Sequence, residues 1–123
     1  MSSGFAGMGG QRNSIPSVTV REAAAQLAEK GADATLIDVR EVDEFTEVRA
    51  QGAVNIPLTQ LARRVAEVPG DKDVLLICHS GYRSMQAALY LKRQGVPRVT
   101  NVEGGTEEWE NAGLPVERGA PQP

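Results

Sequence analysis

A chain of 123 residues suits one domain and is too short for two ordinary ones. Its 13 basic and 16 acidic side chains leave a net charge of -3, which argues against nucleic acid as the main partner. A single cysteine excludes an internal disulfide, and without a Cys/His cluster no metal or cofactor is expected.

Residues 1–15 are rich in Gly and Ser as far as Ser14. Such a composition cannot offset the entropy of ordering, so a disordered tail is expected there. A flexible C-terminal tail is expected over 118–123, which leaves 16–117 as the folded domain. The N-terminus lacks the basic start and apolar core of a secretory signal, and no stretch approaches the ~20 apolar residues of a membrane span. A cytoplasmic protein, with no membrane partner and its thiol kept reduced, is the expectation.

Thr19 followed by Glu22 has capping-box spacing, and a helix through Ala23 and Leu27 should end at Gly31. Ala34 to Val39 is a strand, and Glu41 to Glu47 a short acidic helix or turn. Gly52 to Pro57 is a short extended piece closed by its proline. Leu58, Leu61 and Val65 mark a one-faced helix over Leu58 to Glu67. Val74 to Ile77 is apolar without alternation, as expected for a strand covered on both faces. Ser84 to Gln94 is the next helix, ended by Gly95, and Arg98 to Val102 a further strand. Gly104-Gly105 turns the chain, and Thr106 is placed to cap a last helix through Trp109 to Ala112. Strands alternating with helices of this length imply a mainly parallel, right-handed α/β sheet.

In open α/β sheets ligands sit beyond the carboxyl ends of strands, and Cys78 follows the apolar strand directly. The segment Cys78-His79-Ser80-Gly81-Tyr82-Arg83-Ser84 is a short glycine-containing loop that opens a helix. Its successive N–H groups form an anion-binding nest, and a helix start with a nearby cation lowers a thiol pKa from its ordinary ~8.5. Gly81 supplies the positive φ or close approach that so short a loop needs. The competing reading, a small buried hydrophobe, is the common fate of free cysteines; the loop, arginine and helix start weigh against it.

Arg83 is a candidate to steady thiolate or oxyanion charge, against the alternative of an ordinary surface ion pair. His79 is the sole histidine, yet neighbouring loop residues point apart. Its side chain is therefore read as a surface group, while its N–H belongs to the cradle. Arg40 is a candidate for positive charge at the site mouth and Asp38 for a brace; for both, a structural ion pair is an equal alternative. Glu44, Glu103 and Trp109 look structural.

Cys78-x-x-Gly81-x-Arg83-Ser84 after an apolar strand resembles the active-site loop of rhodanese-type sulfurtransferases. Leu36-Ile37-Asp38-Val39-Arg40 with Glu44-Phe45, then Gly52-Ala53-Val54-Asn55-Ile56-Pro57, resemble two further signatures of that family. Gly104-Gly105 through Trp109, Ala112 and Gly113-Leu114-Pro115-Val116 resembles its C-terminal one. The resemblance implies a rhodanese-like fold, a central five-stranded parallel sheet flanked by helices, and a cysteine that carries a persulfide. It implies that Cys78 takes sulfur from a small anionic donor such as thiosulfate or a persulfide. The sulfur would then pass to cyanide or a thiol, including a protein thiol. His79, Ser80, Gly81, Tyr82, Arg83, Ser84 and Arg40 would hold the donor, with Asp38 in support. One departure stands out: Val48-Arg49-Ala50 replaces the family's usual Gly-His-Ile before the Gly-Ala pair, with an effect expected on local packing or the site rim.

Three other readings stay open. A cysteine-dependent phosphatase or arsenate reductase is disfavoured because Arg83 stands five positions after Cys78, where related phosphatases place it at six. A non-catalytic interaction module would typically lack the cysteine. A protein-to-protein sulfur relay needs the same persulfide as a small-molecule enzyme.

Overall fold

The structure, a computed structural model, describes residues 14–121. Five parallel strands form the central sheet in the order β1-β6-β5-β2-β4. They are β1 (Ser17–Val18), β2 (Ala34–Asp38), β4 (Val54–Asn55), β5 (Asp73–Ile77) and β6 (Val99–Val102). A second, two-stranded ribbon pairs β3 (Arg49–Ala50) antiparallel with β7 (Val116–Glu117). The expected α/β architecture with a five-stranded parallel sheet is what the chain adopts.

β5 sits in the middle and is buried on both faces. Val74 and Leu76 join one apolar cluster with Ile37, Val39, Leu61, Ala88 and Leu91. Leu75 and Ile77 join the other with Val20, Leu36, Val102 and Trp109. Period-two alternation sends neighbouring side chains to opposite faces, so a wholly apolar strand needs helices on both sides. Those helices are α1 (Val20–Lys30), α2 (Val42–Glu47), α3 (Leu58–Leu61), α4 (Tyr82–Arg93) and α5 (Gly105–Asn111). Among the described residues no helix is long and apolar enough to cross a membrane.

α1 begins as its residues dictate: the Thr19 hydroxyl accepts the Glu22 N–H, and the Glu22 carboxylate accepts the Thr19 N–H. α2 carries a second capping box, between Glu41 and Glu44. Beyond α3 the expected helix tightens into a 3₁₀ segment over Ala62–Glu67, broken at Arg64. Arg64 there forks onto Glu67, and Val68 is extended, as a residue before proline prefers. α4 starts two residues before the expected Ser84, because Gly81 at φ 110° already serves as its N-cap.

β1 and the ribbon were not evident from the residues, since two-residue strands carry no periodicity. β1 is held through its backbone, with Asn101 N–H on Pro16 O and Glu103 N–H on Val18 O. The expected N-terminal tail lies outside the described residues except for Ser14 and Ile15, and Ile15 packs against the first cluster. Beyond Arg118, Gly119 donates to Thr46 O and accepts from the Arg49 guanidinium.

Leu76 is fully buried in the central strand. Leu76→Ala should therefore cost about 2–5 kcal/mol, read as a lower urea midpoint at unchanged slope.

Candidate active site

Cys78 follows the last residue of β5 and is 1% exposed. Its sulfur accepts the Gly81 N–H at 3.0 Å and lies 3.3 Å from the Ser84 hydroxyl. Burial alone pushes the thiol pKa up. The Ser84 hydroxyl and the N–H groups of Ser84, Gly81 and Ser80 outweigh it, and the net shift is downward. Gly81 adopts φ 110°, the left-handed conformation expected for it, and so turns the loop tightly enough for these groups to converge on one atom.

The loop's outer side is tied to α5. Cys78 O accepts the Thr106 N–H at 2.8 Å and the Thr106 hydroxyl at 3.0 Å, while His79 O accepts the Glu107 N–H at 3.1 Å. With these carbonyls turned outward, the N–H groups that follow are free to face the sulfur. Thr106 was expected to cap α5; Gly104 is its N-cap, and the threonine hydroxyl goes to the loop. Gly105 makes the approach possible, since a Cβ there would lie 2.4 Å from His79 O and 2.6 Å from Cys78 O.

Arg83 leaves the second residue of α4 and forks onto Glu44 of α2, with Nη1–Oε1 at 2.8 Å and Nη2–Oε2 at 3.0 Å. The Arg83 hydrogen bond is the main reason the Glu44 carboxyl is lowered from 4.5 to about 2. The same bond raises Arg83 above its ordinary value, with a further attraction from the Cys78 thiolate. Two of the guanidinium's five N–H donors are thereby engaged. Glu44, expected to be structural, holds Arg83 in the half-exposed ion pair that was the alternative reading for that arginine.

Arg40 does not supply charge at the mouth. It is 3% exposed, its Nε and Nη2 donate to the Asp38 carboxylate, and Nη2 also donates to Val48 O. A guanidinium this buried is tolerable only beside a carboxylate. Asp38 is the brace: its Oδ1 also accepts the Arg40 N–H. Val48-Arg49-Ala50 enters the small ribbon, and Arg49 lies 4.8 Å over the Phe45 ring.

The His79 side chain is 57% exposed and 3.7 Å from Glu107, and Tyr82 is 72% exposed. The His79 backbone ties the loop to α5 through its carbonyl. Sequence reasoning passed over Thr106 as a loop anchor and over Asn101, whose Oδ1 accepts the Ser84 hydroxyl at 2.6 Å. An asparagine in the strand Val99-Thr100-Asn101-Val102, next to a valine at its end, was the available signal.

A thiol at the carboxyl end of a central strand, ringed by N–H donors, is a place to hold a sulfur anion. Residues 19–112 match the model of the rhodanese-like domain. The chain belongs to the rhodanese-like domain family. A protein of Allochromatium vinosum named sulfurtransferase is 37% identical over 95 residues, covering 77% of this chain and 89% of that one. YrkF of Bacillus subtilis is 36% identical over 97 residues, 79% of this chain, and this chain spans only 52% of its length. The crystal structure of a thiosulfate sulfurtransferase from Pseudomonas aeruginosa superposes with a TM-score of 0.78 at 29% identity. It covers 88% of this chain and 21% of that one.

Two outcomes follow for this rhodanese-like site. Gly105→Ala forces a Cβ against the Cys78–His79 carbonyls at φ +60°, and should cost roughly 2–4 kcal/mol in urea unfolding. The lowered Glu44 carboxyl contributes stability above its unfolded pKa of 4.5, lost as pH falls from there toward 2. At about one third exposure for both partners the contribution is screened to under about 1 kcal/mol. Glu44→Gln should accordingly have a lower urea midpoint than the parent protein at neutral pH, the gap closing across that acid window. A gap independent of pH would contradict the pairing.

Proposed function

We propose that the protein is a sulfurtransferase that carries sulfane sulfur as a persulfide on Cys78. The supporting observation is the convergence of the Gly81 N–H and the Ser84 hydroxyl, at 3.0 and 3.3 Å, on one covered thiol. The Cys78 thiolate attacks the outer sulfur of a small anionic donor such as thiosulfate. A Cys78–sulfur bond forms, the donor's sulfur–sulfur bond breaks, and sulfite leaves with the electron pair. Cyanide or a thiolate then attacks the outer sulfur of the persulfide. It departs as thiocyanate or a new persulfide, and the Cys78 thiolate is regenerated. No outside oxidant or reductant enters, and no proton need move in the first step.

The N–H donors of the loop stabilise negative charge on the inner sulfur, on the persulfide and in the transition state between them. Arg83, with N–H donors beyond those on Glu44, attracts the anionic donor at the rim. The names of the Allochromatium and Pseudomonas relatives support the same chemistry.

Contact between the loop and the sulfur also favours sulfur transfer over phosphate chemistry. With the Gly81 N–H already 3.0 Å from Sγ, the cradle is closed around one atom. A phosphoryl group would need a ring wide enough for three further oxygens.

Intact mass measured after exposure to thiosulfate should show one added sulfur, removed by cyanide with formation of thiocyanate. Cys78→Ser should take up none and keep the parent's urea midpoint to within about 1 kcal/mol. Sulfur uptake by that variant would sink the proposal. Aryl-phosphate hydrolysis faster than sulfur transfer would replace it with the phosphatase reading.

A further inference from the structure

Asn101 is a polar side chain in a place that stability alone would fill with an aliphatic one. It lies in β6 between β5 and β1, paired with Leu76 on one side and Ser17 on the other, and is 4% exposed. A buried carboxamide is tolerated only when both ends are hydrogen-bonded, and both are. Oδ1 accepts the Ser84 hydroxyl at 2.6 Å, and Nδ2 donates to Ser17 Oγ at 3.3 Å. Ser84 is itself fully buried and 3.3 Å from the Cys78 sulfur. A hydrogen-bonded chain therefore runs from Ser17, on the exposed edge strand, through Asn101 and Ser84 to the thiol.

The Ser84 hydroxyl has one hydrogen and three acceptors within reach: Asn101 Oδ1, Gly81 O at 3.2 Å and the sulfur. While Cys78 is a thiol, the chain closes in one direction. The S–H donates to Ser84 Oγ, and the Ser84 hydroxyl donates to Asn101 Oδ1. Once Cys78 is an anion, its sulfur needs the Ser84 hydrogen. Two oxygens 2.6 Å apart with no hydrogen between them repel, so Asn101 must then present its amide N–H₂ to Ser84. A carboxamide does this by turning over, because its two ends are nearly the same shape. Ser17 completes the reversal, since a hydroxyl both donates and accepts.

Resting on the proposal that Cys78 carries sulfur, we propose that Asn101 is a positioning residue: its reversible carboxamide lets Ser84 accept from the Cys78 thiol and donate to the Cys78 anion. The loop N–H groups, which only donate, cannot make that exchange. Three titratable side chains near the loop have partners of their own. Arg83 of α4 is on Glu44 of α2, Arg40 is on Asp38 at the end of β2, and His79 faces Glu107 of α5. None of these pairs includes Ser84 or Asn101.

The test is the pH dependence of Cys78 alkylation by iodoacetamide, read by intact mass; with one cysteine in the chain there is no other thiol to confuse it. Asn101→Leu and Ser84→Ala should each raise the midpoint by about one pH unit, because the bond relayed to a charged sulfur is stronger than the one relayed to a neutral thiol. The double variant should shift no further than Ser84→Ala alone, because Asn101 acts only through Ser84. An unshifted midpoint in folded Asn101→Leu would overturn the proposal. So would shifts that add in the double variant, the signature of a merely structural role. Asn101→Ala replaces the leucine variant in the same cycle if far-UV circular dichroism shows the latter unfolded, and is judged by the same outcomes. Alkylation requires no sulfur transfer. Persulfide loading of the parent protein by thiosulfate, measured separately, tells a failure of the carrier proposal from a failure of this one.

Discussion

The outward hold on one carbonyl organises this site. Cys78 O accepts both the backbone N–H and the side-chain hydroxyl of Thr106, which turns the peptide after Cys78 away from the sulfur. The following peptides can then turn their N–H groups inward. The four residues between β5 and α4 have no side-chain core to set their shape, so their conformation must be imposed from outside. Here the start of α5 imposes it, and Gly105 is the position whose missing Cβ allows contact. Without that anchor, the loop donors that offset the burial of the Cys78 thiol would no longer be held on it.

Charge in the site follows from depth. Arg40 and Asp38 lie deep enough that each is needed to neutralise the other, and their pair ties the end of β2 to Val48. Arg83 and Glu44 are about one third exposed, where solvent screens the pair. Arg40 stands two residues past β2 and Arg83 is the second residue of α4, and their exposure differs accordingly. Behind Ser84, Asn101 is a neutral group that holds the hydroxyl next to the sulfur.

Much of the layout was legible because it is local. The unbroken apolar run Val74 to Ile77, the capping box at Thr19 and the glycine at Gly81 each act within a few residues. Their backbone consequences appear where expected. The misses share a different cause. β1 and the β3–β7 ribbon are too short for a period, and α4 begins at Tyr82 because a positive-φ glycine can itself cap a helix. Beyond α3 the backbone breaks at Arg64, inside the 3₁₀ segment, against an apolar pattern that continues to Val65.

From the residues alone came the position of the thiol, at the end of a doubly covered strand, and the loop length that separates it from Arg83. Both depend on chain order and on backbone conformations that one or two residues can impose. Tertiary structure alone decided the partners: Glu44 for Arg83, Asp38 rather than solvent for Arg40, Thr106 for the Cys78 carbonyl, and Asn101 behind Ser84. Parallel strands with long crossovers bring Glu44 to Arg83, Asn101 to Ser84 and Thr106 to Cys78 across 17 to 39 positions of sequence. At such distances no periodicity or propensity links two side chains, and only the order of the strands in the sheet determines which of them meet.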